Sequence, residues 1–194
     1  MLDKKYLGQL KTYLHNYAKE RLAVIELSNQ AIHHAKRAIF ALHRDEVKEA
    51  EEKIKQSREL LLGILNKYKK QPEILDEGAY RAGVEEFVEA SLFYSFLSTG
   101  KIGEVKGLSV PPEIYIGGLC DVPGELYRYA IKSATARDLK MTKKCAVMAQ
   151  EIIGELIEFN LTSYLRTKFD QAKQAVQKLE QVVYEVTLRA NYEK

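Results

Sequence analysis

Four prolines and 11 glycines are the only strong helix breakers in 194 residues, so long uninterrupted helices are permitted along most of the chain. No stretch alternates apolar and polar residues over the length of a strand, which leaves no basis for a sheet. No apolar run reaches about 18 residues, which excludes a membrane-spanning helix. Lys4, Lys5, Lys11, Lys19 and Glu20 interrupt the N-terminal stretch, so no signal peptide is expected. The two cysteines, Cys120 and Cys145, form no C-x-x-C pair. They read as buried free thiols, which suits a reducing cytoplasm, and a cytoplasmic location is expected. Without a secretory signal the sequon Asn160-Leu-Thr162 is a chance match. The four histidines, His15, His33, His34 and His43, never stand three residues after a glutamate, and this argues strongly against a di-iron carboxylate bundle. A Gly-rich phosphate loop, a nucleophile elbow and a locally supported Cys–His pair are all missing.

What the chain does contain is 46% hydrophobic and 29% charged residues, the composition of one globular domain of ordinary size, here 1–194. A net charge of +3 is too mild to prove a nucleic-acid partner, although clustering can still make a basic face.

Apolar residues recur at helical spacing from Leu2 to His43, enough for one helix of roughly 60 Å. That exceeds the diameter of a small domain, so part of it is expected to pack on another subunit. A second helix is expected over about 46–69 with Asp45 as N-cap. A third begins near 72–77 and ends at Gly100, followed by a loop over 101–112. A fourth runs from Pro112 to about Arg137 and should loosen or kink at Gly117-Gly118 and Pro123-Gly124. A fifth covers 143–159 with Thr142 as cap. The last, 162–192, carries Leu165, Phe169, Ala172, Val176, Leu179, Val183 and Val186 in a coiled-coil-like rhythm. The expected fold class is therefore all-α, a long-helix bundle.

The third of these helices holds the strongest chemical signal. From Ala82 to Ser98 its only charges are Glu85, Glu86 and Glu89, set among residues that cover almost every side of a helix, and such a helix is normally buried. Glu86 and Glu89 are i, i+3 and share a face, where like charges repel. Removing each carboxylate from water costs several kcal/mol without a partner. The partner must be a metal ion, a distant arginine or a shared proton, and the metal is favoured. Asp121, Glu125 and Asp138 are candidates to join them. Three or four converging carboxylates would hold a hard ion such as Mg²⁺ or Mn²⁺, which activates water and clamps a phosphodiester. A buried network with Arg128 or Arg137 would satisfy the same charges. A second signal lies near the end of the first helix, where Lys36, Arg37, His43 and Arg44 surround Phe40. Such a set can hold a phosphate backbone and stack a base, but the helix dipole alone also favours cations there.

Four segments in register, 35–44 (AKRAIFALHR), 83–93 (GVEEFVEASLF), 115–138 (YIGGLCDVPGELYRYAIKSATARD) and 178–191 (KLEQVVYEVTLRAN), resemble the translin family. The X-type branch, translin-associated protein X, is closer than translin itself, which lacks the Glu86/Glu89 pair. The resemblance implies six or seven helices assembling into a hollow octameric barrel. It further implies binding of single-stranded RNA, with DNA or short duplex RNA as further ligands, and an Mg²⁺-dependent endoribonuclease site facing the cavity. Carried across, the catalytic carboxylates fall on Glu86, Glu89 and Asp138, with Asp121 and Glu125 in support of the metal. Lys36, Arg37, His43 and Arg44 fall on a basic, RNA-facing stretch. Arg137-Asp138 replaces the family's Gly-Asp, which bears on the direction of Asp138. The compact chain resembles archaeal, homo-oligomeric members, and the alternative implied by translin itself is a single-strand-binding scaffold that does not cut.

Overall fold

The computed structural model describes residues 1–192, which form seven helices and no strand. They are α1 (Lys4–His43), α2 (Val47–Tyr68), α3 (Pro72–Leu75), α4 (Gly78–Thr99), α5 (Pro112–Thr135), α6 (Leu139–Leu156) and α7 (Ser163–Tyr192). None of them is long and apolar enough to cross a membrane.

The 40 residues of α1 form one unbroken rod. Asp3 starts it by accepting a hydrogen bond from the Tyr6 N–H at 3.0 Å. Its second half buries Val24, Ala31, Ala35, Ala38 and Leu42, and the small side chains let α2 and α4 pack close. The Ser57 hydroxyl donates across to the Ala31 carbonyl at 2.9 Å. The first half leaves Tyr6, Leu7, Leu10, Tyr13, Leu14 and Leu22 exposed, as the length argument requires of a helix that outruns its own domain.

At the centre is α4. It packs against α1, α2 and α5, while α5 in turn packs on α6 and α7. Phe87, Val88, Leu92 and Phe93 are buried, and Gly100, with φ 74°, ends the helix. Close approach of α5 depends on Gly117 and Gly118. A Cβ at Gly118 would lie 2.7 Å from Val88 and 2.8 Å from the Glu85 carbonyl oxygen, and one at Gly117 would overlap the Glu85 carboxylate.

Several sequence expectations are corrected. Asp45 does not cap α2. It sits at φ 61° and accepts bonds from Tyr129 and Lys132 at 2.7 and 2.5 Å, which hold its carboxyl below the usual range. The segment expected as one third helix is split, because α3 stops at Leu75 before α4 begins. Gly117-Gly118 and Pro123-Gly124 do not interrupt α5. Finally, α6 begins at Leu139, capped by Asp138 rather than Thr142. Cys120 and Cys145 are free and buried, as expected, and burial pushes both thiols up to about 12. Along α7, Phe169, Ala172, Val176 and Leu179 are buried.

Candidate functional site

A cavity of about 540 Å³ opens where α1, α4 and α5 meet, lined by Lys36, Ile39, Phe40, Glu86, Glu89, Asp121, Glu125 and Arg128. Helical spacing explains the convergence. Glu86 and Glu89 share one face of α4, and Asp121 and Glu125, at i, i+4, share one face of α5.

The four carboxylates are not equivalent. Glu89 is only 8% exposed. Among the described residues it makes no side-chain hydrogen bond and no ion pair. Burial, then the charges of Asp121, Glu125 and Glu86, push its carboxyl up to about 9. Glu86 is also raised by burial, with Lys36 opposing from 3.4 Å. Asp121 is raised by burial although Lys168 of α7 pairs with it directly. For Glu125 burial pushes upward, but His43 and Arg128 outweigh it and hold the carboxyl below its ordinary value. The Arg128 guanidinium donates to both Glu125 oxygens at 3.0 and 2.9 Å.

A second row of contacts stands behind α4 and α5. Lys168 Nζ lies 2.7 Å from Glu85 while pairing with Asp121, and the Tyr164 hydroxyl donates to Glu85 at 2.7 Å. Burial would depress the Lys168 ammonium, but Asp121 and Glu85 raise it above its usual range. Sequence reasoning missed Lys168 and Tyr164. Neither carries a local signal, since both lie on a helix whose stripe pattern describes packing alone. Glu85 is the third charge of the apolar helix in the sequence, and nothing at local spacing indicates its partners.

The sequence-derived site changes in two ways. Asp138 does not line this cavity. Its carboxylate caps α6 by accepting the Met141 N–H at 2.9 Å, the use expected of an aspartate before a helix. Arg137 takes the left-handed turn preceding it, at φ 61°. Asp121 and Glu125, read as supporting, are the acidic side chains that α5 brings to Glu86 and Glu89. The basic stretch is also divided. Lys36 is exposed at the cavity, but Arg37 pairs with Glu49 at 3.1 Å. Arg44 pairs with Glu46 and Glu49 and lies over the Phe40 ring. His43 points inward to Glu125 and packs on Phe93 and Tyr129, its side chain 11% exposed.

Four carboxylates line one cavity, the kind of oxygen-rich surface on which a hard divalent cation could be held, and among the described residues Glu89 makes no ion pair. The residues fit such an ion by their chemistry. No three His, Cys, Asp or Glu side chains among the described residues already stand at the spacing of one ion's ligands, so the carboxylates would have to move to share one.

Fold and site together define an all-α bundle with a carboxylate-lined cavity between its long helices. The translin family model matches residues 19–190, and the chain belongs to the translin family. It is 31% identical to translin of Gallus gallus over 85 residues, a match spanning 43% of this chain and 37% of the chicken protein. The structure is similar to that of AfC3PO, at TM-score 0.87 and 25% identity over 95% of this chain and 98% of that one. It is also similar to AfC3PO in complex with duplex RNA, at TM-score 0.86 and 25% identity over 95% and 97%. Apo-NeC3PO shares the fold at TM-score 0.85 and 21% identity, over 96% and 98%.

Proposed function

We propose that the chain is an endoribonuclease that uses a divalent cation, Mg²⁺ or Mn²⁺, to hydrolyse phosphodiesters of single-stranded RNA inside a hollow homo-oligomer, an octamer by the family resemblance. The observation that carries this reading is Glu89, a covered carboxylate beside three others with no basic partner. That arrangement is costly in a protein that only binds. Glu86, Glu89, Asp121 and Glu125 would hold the ion. When bound it would lower the pKa of a coordinated water and polarise a phosphoryl oxygen.

The chain's own residues supply the rest. Lys168 and Tyr164 anchor Glu85, and Lys168 also holds Asp121, so the acidic wall of α5 is fixed before any ligand arrives. His43 and Arg128 set the rotamer of Glu125. Lys36, on the open side, can meet a phosphate oxygen when it leaves Glu86. AfC3PO has been seen with duplex RNA, which supports an RNA-class ligand.

A second reading rests on a specific observation. Glu86, Asp121 and Glu125 are already matched by Lys36, Lys168 and His43/Arg128, which is how a non-cutting scaffold for single-stranded RNA or DNA would neutralise the same wall. Incubation of end-labelled single-stranded RNA in Mg²⁺ and in EDTA separates the two. Metal-dependent cutting lost in Glu89→Gln, with assembly mass unchanged, supports the nuclease. RNA retained but uncut in both Mg²⁺ and Mn²⁺ leaves the scaffold.

A further inference from the structure

Phe40 is the one large apolar side chain on the cavity wall that also faces solvent, 56% exposed. An exposed phenylalanine beside four carboxylates contributes nothing to the core, and its ring is held rather than free. The Arg44 guanidinium lies over it, 4.7 Å from the ring centroid, and is itself anchored by Glu46 and Glu49. Phe40 lines the cavity and Arg44 does not. The guanidinium takes up one face of the ring, and with the side chain more than half exposed the other face is open to a flat partner. Two further cations, Lys36 and Arg128, stand on the same wall, with side chains 63% and 54% exposed.

We infer that Phe40 is a stacking platform for one nucleobase of a single strand, seated on the ring face that Arg44 leaves open, with Lys36 and Arg128 meeting phosphates of the same strand. The inference deepens the proposed RNA reading of this cavity and rests on it. Arg44 acts as a positioning residue, since a guanidinium on the far face fixes the ring plane and adds positive potential behind it. Every base has a π-face, so the platform is tolerant of sequence. It does require an unpaired base, because a base inside a duplex already has stacked neighbours on both sides. A single-stranded nucleotide is thus selected at this position even when a duplex binds elsewhere.

The chain has no tryptophan, so Phe40→Trp introduces a sole indole as reporter. Titration of this variant with a short single-stranded RNA in EDTA, where metal-dependent cutting cannot intervene, should quench its fluorescence, and the same RNA annealed to its complement should quench it less. Phe40→Ala should weaken binding of the single strand by roughly 5- to 140-fold, the range of one lost base–aromatic stack, and Phe40→Tyr should restore it. Unquenched fluorescence together with native affinity in Phe40→Ala overturns the inference. So does a Phe40→Ala protein whose assembly mass changes while its affinity for RNA does not, because the ring would then be a subunit contact. Quenching in a protein that never cuts RNA keeps the platform and removes the nuclease. Cutting without quenching removes the platform alone.

Discussion

Lys168 on α7 and Asp121 on α5 form an ion pair across 47 residues of sequence, in which the lysine side chain is 12% exposed and the aspartate 31%. The same ammonium holds Glu85 of α4 at 2.7 Å, so one cation ties three helices at the back of the carboxylate cavity. Lys168→Met leaves both acids without their counter-charge. Breaking a buried pair from one side costs about 3–5 kcal/mol, and partial exposure reduces that here to roughly 2–3 kcal/mol. Urea unfolding at neutral pH should show this loss, and Lys173→Met should show none of it, since Lys173 lies near the Phe169 ring rather than an acid.

Glu89 makes stability fall as pH rises. In the unfolded chain it titrates near 4.5, and in the fold near 9. Between these values the folded protein keeps a proton that the unfolded chain has released, so stability declines across that window as pH increases. Glu89→Gln removes the dependence. The variant should be more stable than the native chain near pH 8, by a few kcal/mol at most, with the gap closing toward pH 5. Mg²⁺ should raise the unfolding midpoint of the native chain in the upper part of the window and leave that of Glu89→Gln unmoved. An equal Mg²⁺ effect on both would remove Glu89 from the metal set.

Asp138 and Asp121 should separate by their losses. Asp138→Ala should cost about 1 kcal/mol of stability, the usual loss of an N-cap, and leave RNA cutting near the native rate. Asp121→Asn should reduce cutting by at least about 100-fold, the scale of removing one group that stabilises charge in the transition state. A cutting defect in Asp138→Ala as large as that of Asp121→Asn would restore Asp138 to the site.

Two glycines of one helix should respond with opposite sign. Gly118→Ala drives a methyl into Val88 and the Glu85 carbonyl and should destabilise by about 1–3 kcal/mol. Gly124→Ala meets nothing within 4 Å and should stabilise by about 0.5–1 kcal/mol through helix propensity. Chemical denaturation of the two variants side by side checks both.

Much of this was legible in the chain because helical spacing is a local property. The all-α class, the six long helices and the burial of Glu86 and Glu89 in an apolar segment follow from residues within a few turns of one another. The stop at Gly100 and the partner pair Asp121/Glu125 are equally local. Asp138 was legible too, since an aspartate ahead of Leu139 and Met141 is an N-cap signature, but family resemblance favoured a catalytic role. Asp45 shows the converse: a good cap by type, it takes a left-handed turn because Tyr129 and Lys132, more than 80 residues away, draw its carboxylate sideways. His43 reads as one more base in a basic stretch, and only the arrival of Glu125, Phe93 and Tyr129 turns it inward. Lys168 had no signal at all, because its partners belong to helices distant in sequence.

The exposed apolar half of α1 and the cavity wall formed by Lys36, Ile39 and Phe40 belong to one unbroken helix, about 45 Å apart between Leu10 and Phe40 at 1.5 Å per residue. An unbroken helix passes tilt along its length, so whatever seats on Tyr6, Leu10 and Leu14 also aims the far end of the rod. A few degrees of tilt at the seat becomes a displacement of ångströms at the ring of Phe40, and alignment of the cavity wall is then a mechanical property of the seat.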